Sequence, residues 1–254
     1  MLEPGFELDE LVAPVLALQA YRSETHDEAF LQERFVQDGL SLILTRLQEV
    51  RHPETALYET FLQPTDDEIV HPYLTYDNVL VWRALQLLAD WRPAQRGSIF
   101  THCVKKDADG QPYFAWSVDL AGHHDVYDEP PGSLQLLPYY GFCERTDVIW
   151  QNTVRMIRSA DYKFSFAGKP IAEIGCPHAP WPWVLSLCNS LLCGHAEQAL
   201  RELTIMPMDN GIACESVDAD TGECTTGSAF ATCAGFLCHA LLTACKEGSS
   251  CGTI

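Results

Sequence analysis

Basic residues are scarce in this chain: 16 Lys and Arg stand against 35 Asp and Glu, a formal charge of −19 over 254 residues. Nucleic-acid backbones are bound by stripes of Lys and Arg that displace counterions, so the balance excludes a nucleic-acid partner. The acidity reads as solubility rather than as a partner signal. Long hydrophobic runs are missing too. Val79–Leu88 is broken by Trp82, Arg83 and Gln86, and no run reaches the length that spans a bilayer. Met1–Gly5 shows neither a basic n-region nor an apolar h-region, so a cytoplasmic protein with no membrane partner is expected. Several short motifs are also absent: Gly-x-Ser-x-Gly, a phosphate loop, a dinucleotide fingerprint and Cys-x-x-Cys.

What the chain does have is apolar mass and cysteine. At 47% hydrophobic residues it can bury a substantial core, and residues 1–254 read as one domain with no linker, composition shift or short-period repeat. The 11 cysteines are odd in number, and Cys188, Cys193, Cys233, Cys238 and Cys245 sit on helical faces. That pattern predicts reduced, buried thiols rather than a disulfide framework. Cys233 and Cys238, with His239 adjacent, match no common zinc spacing, and the neighbouring His123 and His124 have no third ligand placed, so no metal is expected.

Periodicity predicts a mainly helical fold. Helices are expected at Phe6–Ala20, Glu28–Val50 and Tyr76–Trp91, the last capped by Asp77. Ser98–Lys105 and Pro112–Leu120 are β-rich and flank Asp109-Gly110, a hairpin signal. Short helices follow at Ser133–Tyr139, Thr146–Ser159, Pro182–Cys193, Ala196–Ile205 and Ser228–Cys245. Paired helices with long loops, plus one β-hairpin insertion, point to an α/α toroid.

Two acidic clusters carry the chemistry. The first is Asp66-Asp67-Glu68 between Pro64 and Pro72, and the second is Glu215-Ser216-Val217-Asp218 in a polar loop ending at Gly227. Between them lies Ile174-Gly175-Cys176-Pro177-His178-Ala179-Pro180-Trp181-Pro182-Trp183. Distant carboxylates with aromatic faces between them are what a glycosidase cleft uses: one acid protonates the leaving oxygen and the other activates water or attacks. The plain alternatives are a solvated loop or helix cap for Asp66-Asp67, and a surface acid for Glu215. Core packing for Trp181 or Trp183, a backbone-bonding loop histidine for His178, and loop capping for Asp128 and Glu129 also stay open.

Read in order, these segments resemble glycoside hydrolase family 125, the metal-independent exo-acting α-mannosidases with an (α/α)6 barrel. Phe61-Leu62-Gln63-Pro64-Thr65-Asp66-Asp67 looks like the family's aromatic-x-x-Pro-Ser-Asp-Asp segment. Asp128-Glu129-Pro130-Pro131-Gly132-Ser133-Leu134 and Leu137-Pro138-Tyr139-Tyr140-Gly141 are similar to a further stretch. Gln151-Asn152-Thr153-Val154-Arg155, Gly175-Cys176-Pro177-His178, Trp181-Pro182 and Glu215-Ser216 follow in family order, similar to its Asn-Thr-Arg, Gly-Ser-Pro-His, Trp-Pro and Glu-Ser elements, over roughly residues 58–242. The family's Trp-Leu-Arg-Asp-like sugar-binding segment finds no match, so the chain reads as a C-terminal portion of the toroid lacking its opening helices.

The resemblance implies an inverting exo-glycosidase acting on α-mannosides, α-1,6-linked, with no cofactor and no metal. Asp66 or Asp67 would be the general acid, and Glu215 the general base about 6.5–9.5 Å from it. Asp128, Glu129, His178, Trp181 and Trp183 would bind a mannose-containing oligosaccharide. The missing helices imply an incomplete gene product, ranked ahead of another chain covering the cut or a rearrangement of the helices. The rival reading is an inactive, N-terminally incomplete toroid or a non-catalytic subunit. An (α/α)6 sugar epimerase would place histidines where this chain clusters acids.

Overall fold

The computed structural model describes residues 6–88 and 93–250. The chain is mainly helical and forms two compact units: residues 1–106 with 114–126, and residues 107–113 with 127–254. No helix among the described residues is long and apolar enough to cross a membrane.

The first unit opens with helices α1 (Leu8–Thr25), α2 (Glu28–Leu31) and α3 (Arg34–Glu49), followed by strand β1 (Tyr73–Leu74), α4 (Thr75–Leu87) and α5 (Pro93–Cys103). From Thr75 to Trp82 every side chain of α4 is buried. A helix buried on this many sides must be enclosed, and α4 packs against α1 and α5. Strand β2 (Val104–Lys106) closes α5, and after β3 (Pro112–Phe114) come β4 (Ser117–Val118) and β5 (His124–Asp125). Strands β1, β4 and β5 make a three-stranded antiparallel sheet, with Tyr73 opposite Val118 and Ser117 opposite Asp125.

Three expectations are corrected here. The helix predicted over Glu28–Val50 is two helices. Asp27 Oδ1 accepts the Phe30 N–H and the Gln32 N–H turns back to the Ala29 carbonyl, which ends α2 after one turn. Phe30 then packs its ring on both Tyr21 and Phe35. Asp77 does not cap α4: the helix starts directly from β1, its N-cap is Leu74, and Asp77 lies fully buried in the first turn. Ser98–Cys103 is helical rather than extended. Pro93 supplies the preset φ of a first helical position, and β structure begins only at Val104. The end of the predicted Tyr76–Trp91 helix, residues 89–91, lies outside the described residues, as do Met1–Gly5. The Asp109-Gly110 turn forms as expected. Asp107 Oδ1 accepts from the Asp109 and Gln111 N–H groups, and Gly110 takes a positive φ of 78° between β2 and β3.

The second unit contains a 3-10 turn (Leu134–Leu136) and α6 (Val148–Ile157), α7 (Val184–Leu192), α8 (Ala196–Ile205) and α9 (Ala231–Ser250), with strands β6 (Ser216–Val217) and β7 (Cys224–Thr226) paired between α8 and α9. Asp147 caps α6 through the Ile149 and Trp150 N–H groups. All nine side chains of α7 are buried, and α8 and α9 flank it. The ten described cysteines are free thiols, most of them buried.

One buried amide fixes the loop leading to Asp66. Asn78 of α4 accepts the Tyr58 N–H at 2.8 Å through Oδ1, and Nδ2 donates to the carbonyls of Tyr58 at 3.0 Å and Leu74 at 2.8 Å. Its removal leaves buried backbone groups unsatisfied. Asn78→Ala is therefore expected to lower unfolding stability by about 2 kcal/mol or more, measured by urea denaturation.

Candidate active site

In the first unit the segment around Asp66 and Asp67 is held from three sides. Thr60 N–H donates to the Pro72 carbonyl, and the Trp116 indole N–H donates to Gln63 Oε1 at 2.8 Å. The third side is the start of α1: Phe61 N–H donates to the Phe6 carbonyl, Leu8 N–H to Thr60 Oγ1 at 3.2 Å, and the rings of Phe6 and Phe61 meet edge to face. Asp66 sits in the left-handed region (φ 62°), its N–H closing a turn on the Gln63 carbonyl. Its side chain is exposed, while Asp67 is half-buried and accepts from Thr65 Oγ1 at 3.3 Å.

Beside Asp66 stands Glu7, 6% exposed and close enough to feel its charge. Burial, then the Asp66 contact, push the Glu7 carboxyl up to about 8, and burial pushes Asp9 up to about 6. Glu7 is thus a carboxylic acid at neutral pH. Sequence periodicity had read Glu7 and Asp9 as ordinary helix residues. The available signal was an acid wedged between Phe6 and Leu8, both turned inward.

In the second unit Glu215 lies on a short two-stranded hairpin. Its N–H donates to the Thr226 and Gly227 carbonyls, and its carbonyl accepts the Val184 N–H at the start of α7. Trp183 and Ser216 form a bridge, and the Val217 N–H reaches the Pro182 carbonyl, so the segment 182–184 and the Glu215 segment are one piece. The Glu215 side chain is half-buried and makes no side-chain hydrogen bond or ion pair among the described residues. Gly227, at φ +58°, is pressed against it: a Cβ there would lie 2.4 Å from Glu215 Cβ. Such contact is what positions a carboxylate without neutralising it.

The other predicted residues divide by burial. His178 and Trp181 are exposed on the 174–183 loop. Gly175 allows that loop to fold on itself, since a Cβ there would meet the Trp181 carbonyl oxygen at 2.6 Å. Trp183 is buried, its indole N–H donating to the Ala179 carbonyl at 2.8 Å and its ring edge-on to His178, which is core packing rather than a free stacking face. Asp128 and Glu129 are fully buried. Asp128 accepts from Ser133 Oγ and the Leu134 N–H, both at 2.7 Å, so it caps the 3-10 turn; Glu129 accepts the Tyr127 hydroxyl. Burial pushes the Asp128 carboxyl up to about 8. No group of three or more His, Cys, Asp or Glu among the described residues is arranged to hold a metal, and His123 pairs with Asp119.

The sequence profile of the metal-independent alpha-mannosidases (GH125) matches residues 48–242. The chain belongs to that family. Among curated proteins it is similar to the meiotically up-regulated gene 157 protein of Schizosaccharomyces pombe, 25% identical over 191 residues, 65% of this chain. The chain spans 37% of that relative's length. Its fold is that of a metal-independent alpha-mannosidase of Streptococcus pneumoniae, solved in a non-productive substrate complex with alpha-1,6-mannobiose: TM-score 0.82 at 21% identity, covering 95% of this chain and 69% of that one. Within this family member, the match takes in both acidic segments and the 174–183 loop.

Two predictions follow from this geometry. Gly227→Ala forces the Glu215 side chain to move and strains a left-handed backbone, costing about 1–3 kcal/mol, visible as a lowered melting temperature. The second concerns pH. Between 4.5 and about 8 the folded protein keeps the Glu7 proton that the unfolded chain releases. Folded-state proton binding then exceeds unfolded, so this contribution to stability is lost as pH rises through that window. Glu7→Gln is expected to lessen the fall in melting temperature between about pH 5 and pH 8.5 relative to the parent.

Proposed function

We propose that the protein is an inverting exo-glycoside hydrolase that cleaves α-mannosides, α-1,6-linked, without a metal or other cofactor. Asp66 or Asp67 donates the proton to the leaving oxygen, and Glu215 removes a proton from the attacking water. What supports this most is the family match over residues 48–242, which contains both acidic segments. Their local settings suit the two roles. Asp66 presents an exposed carboxyl above the buried, protonated Glu7, and Glu215 has an unengaged carboxylate, as a base requires. His178 and Trp181, both exposed, are the residues we assign to sugar contact. Asp128, Glu129 and Trp183 shape the surrounding loops from below. The likeness to a mannosidase solved with alpha-1,6-mannobiose supports that substrate class, on one (α/α)6-type domain. The many buried thiols suit a reducing cytoplasm.

The rival reading is a non-catalytic subunit; the chain spans 37% of the length of its curated relative. Hydrolysis of α-1,6-mannobiose with EDTA present separates the two. Turnover is expected, with anomeric inversion by NMR. Glu215→Gln and asparagine at the acid position are expected to lower kcat by about 10²–10⁴-fold. Absence of turnover in a folded parent protein would favour the rival.

A further inference from the structure

A second concavity lies in the second unit, between one face of α6 and the turn joining α7 to α8. It has a volume of about 440 Å³, and Arg145, Arg155, Arg158 and His195 line it without any Asp or Glu. In a chain where acids outnumber bases 35 to 16, such a lining departs sharply from the surface as a whole. The guanidinium groups are anchored rather than loose. Arg145 Nη2 donates to the Leu192 carbonyl at 2.7 Å, Arg155 Nη2 to Asn152 Oδ1, and Arg158 Nη1 to Ser190 Oγ at 2.7 Å and to Glu173 at 3.2 Å. Glu173 balances Arg158, whereas Arg155 has no carboxylate partner among the described residues. His195 is the N-cap of α8 and supplies no side-chain cap, so the positive end of that helix also opens here.

We propose that this cavity binds a phosphate monoester of a small organic group. Anchored guanidinium forks match phosphate oxygens, and Arg155 and Arg158 keep N–H donors beyond those their anchors use. Its volume lies within the range of about 300–1,000 Å³ typical of small-ligand pockets, and Trp150 and Val154 supply an apolar wall for the organic part. Burial and the nearby Arg158 hold the His195 imidazole below its ordinary range, against the opposing pull of Glu173. A bound dianion would offset the effect of Arg158 and add its own pull in the direction of Glu173, raising it. None of the residues assigned to the proposed hydrolase reaction (Asp66, Asp67, Glu215, His178 and Trp181) lines the cavity.

The test is calorimetric titration of the full chain, at fixed ionic strength, with glucose 6-phosphate, adenosine monophosphate, inorganic phosphate and glucose. The two esters are expected to bind more tightly than inorganic phosphate, and glucose not at all. Arg155→Ala is expected to weaken the esters about tenfold, with Arg155→Lys in between. Should the alanine variant misfold, the His195 ring resonances of the parent serve instead: its titration midpoint should rise on adding glucose 6-phosphate. Absence of ester binding, binding that ignores Arg155 in a folded variant, or an unmoved His195 would overturn the proposal. Equal affinity for inorganic phosphate would overturn the ester assignment.

Discussion

The second unit is organised around one buried carboxylate. Glu173 is fully buried, accepts from Ser186 Oγ at 2.5 Å and Ser190 Oγ at 2.7 Å, and meets Arg158 Nη1 at 3.2 Å. Those partners come from α7 and from the residue that follows α6, so a single charge joins both helices to the loop that begins at Ile174. Ser186 also accepts the Ile174 N–H, which ties that loop's first residue to the same cluster. A buried ion without such partners would be strongly unfavourable, and removing one partner strands the other. The 174–183 loop, the hairpin bearing Glu215 and the wall of the cationic cavity all hang on elements this cluster fixes.

A chain with so many acids has to manage those it buries, and it does so in three ways. Glu173 stays paired with an arginine and two hydroxyls. Asp128 is used as a cap, its two oxygens matched by a hydroxyl and a backbone N–H. Glu7 keeps its proton and leans on Asp66. The last arrangement sets a protonated carboxyl close to the exposed Asp66, although Glu7 is unremarkable in sequence. Glu215 is handled by shape instead: Gly227 fixes the Cβ and backbone, and the carboxylate is left unengaged.

Much of this was legible in the residues themselves. The mostly apolar stretches at Val184–Leu192 and Thr75–Leu87 announced helices, because enclosed helices carry apolar residues on most of their sides. Asp107–Gln111 announced a turn, because Asp-Gly tolerates the conformation a hairpin requires. The order of short motifs, taken together, carried the family. Where the reading slipped, tertiary contacts had overruled a local preference. Phe30 is drawn between two aromatic rings and splits a helix, and Asp77 is carried past the cap position because β1 delivers Leu74 there.

The sequence alone therefore determined the helical character and the family, since both are written in residue type, period and order. Tertiary structure decided what each acid is for. Whether a carboxyl is protonated, capping, paired or open depends on its burial and on partners far away in the chain, as Glu7 with Asp66 and Glu173 with Arg158 show. The same holds for Trp181 and Trp183: two residues apart in one loop, one is exposed and the other is locked into the core by its indole bond to Ala179. Electrostatic free energy is set by surroundings, not by residue type, and surroundings exist only once the chain has folded.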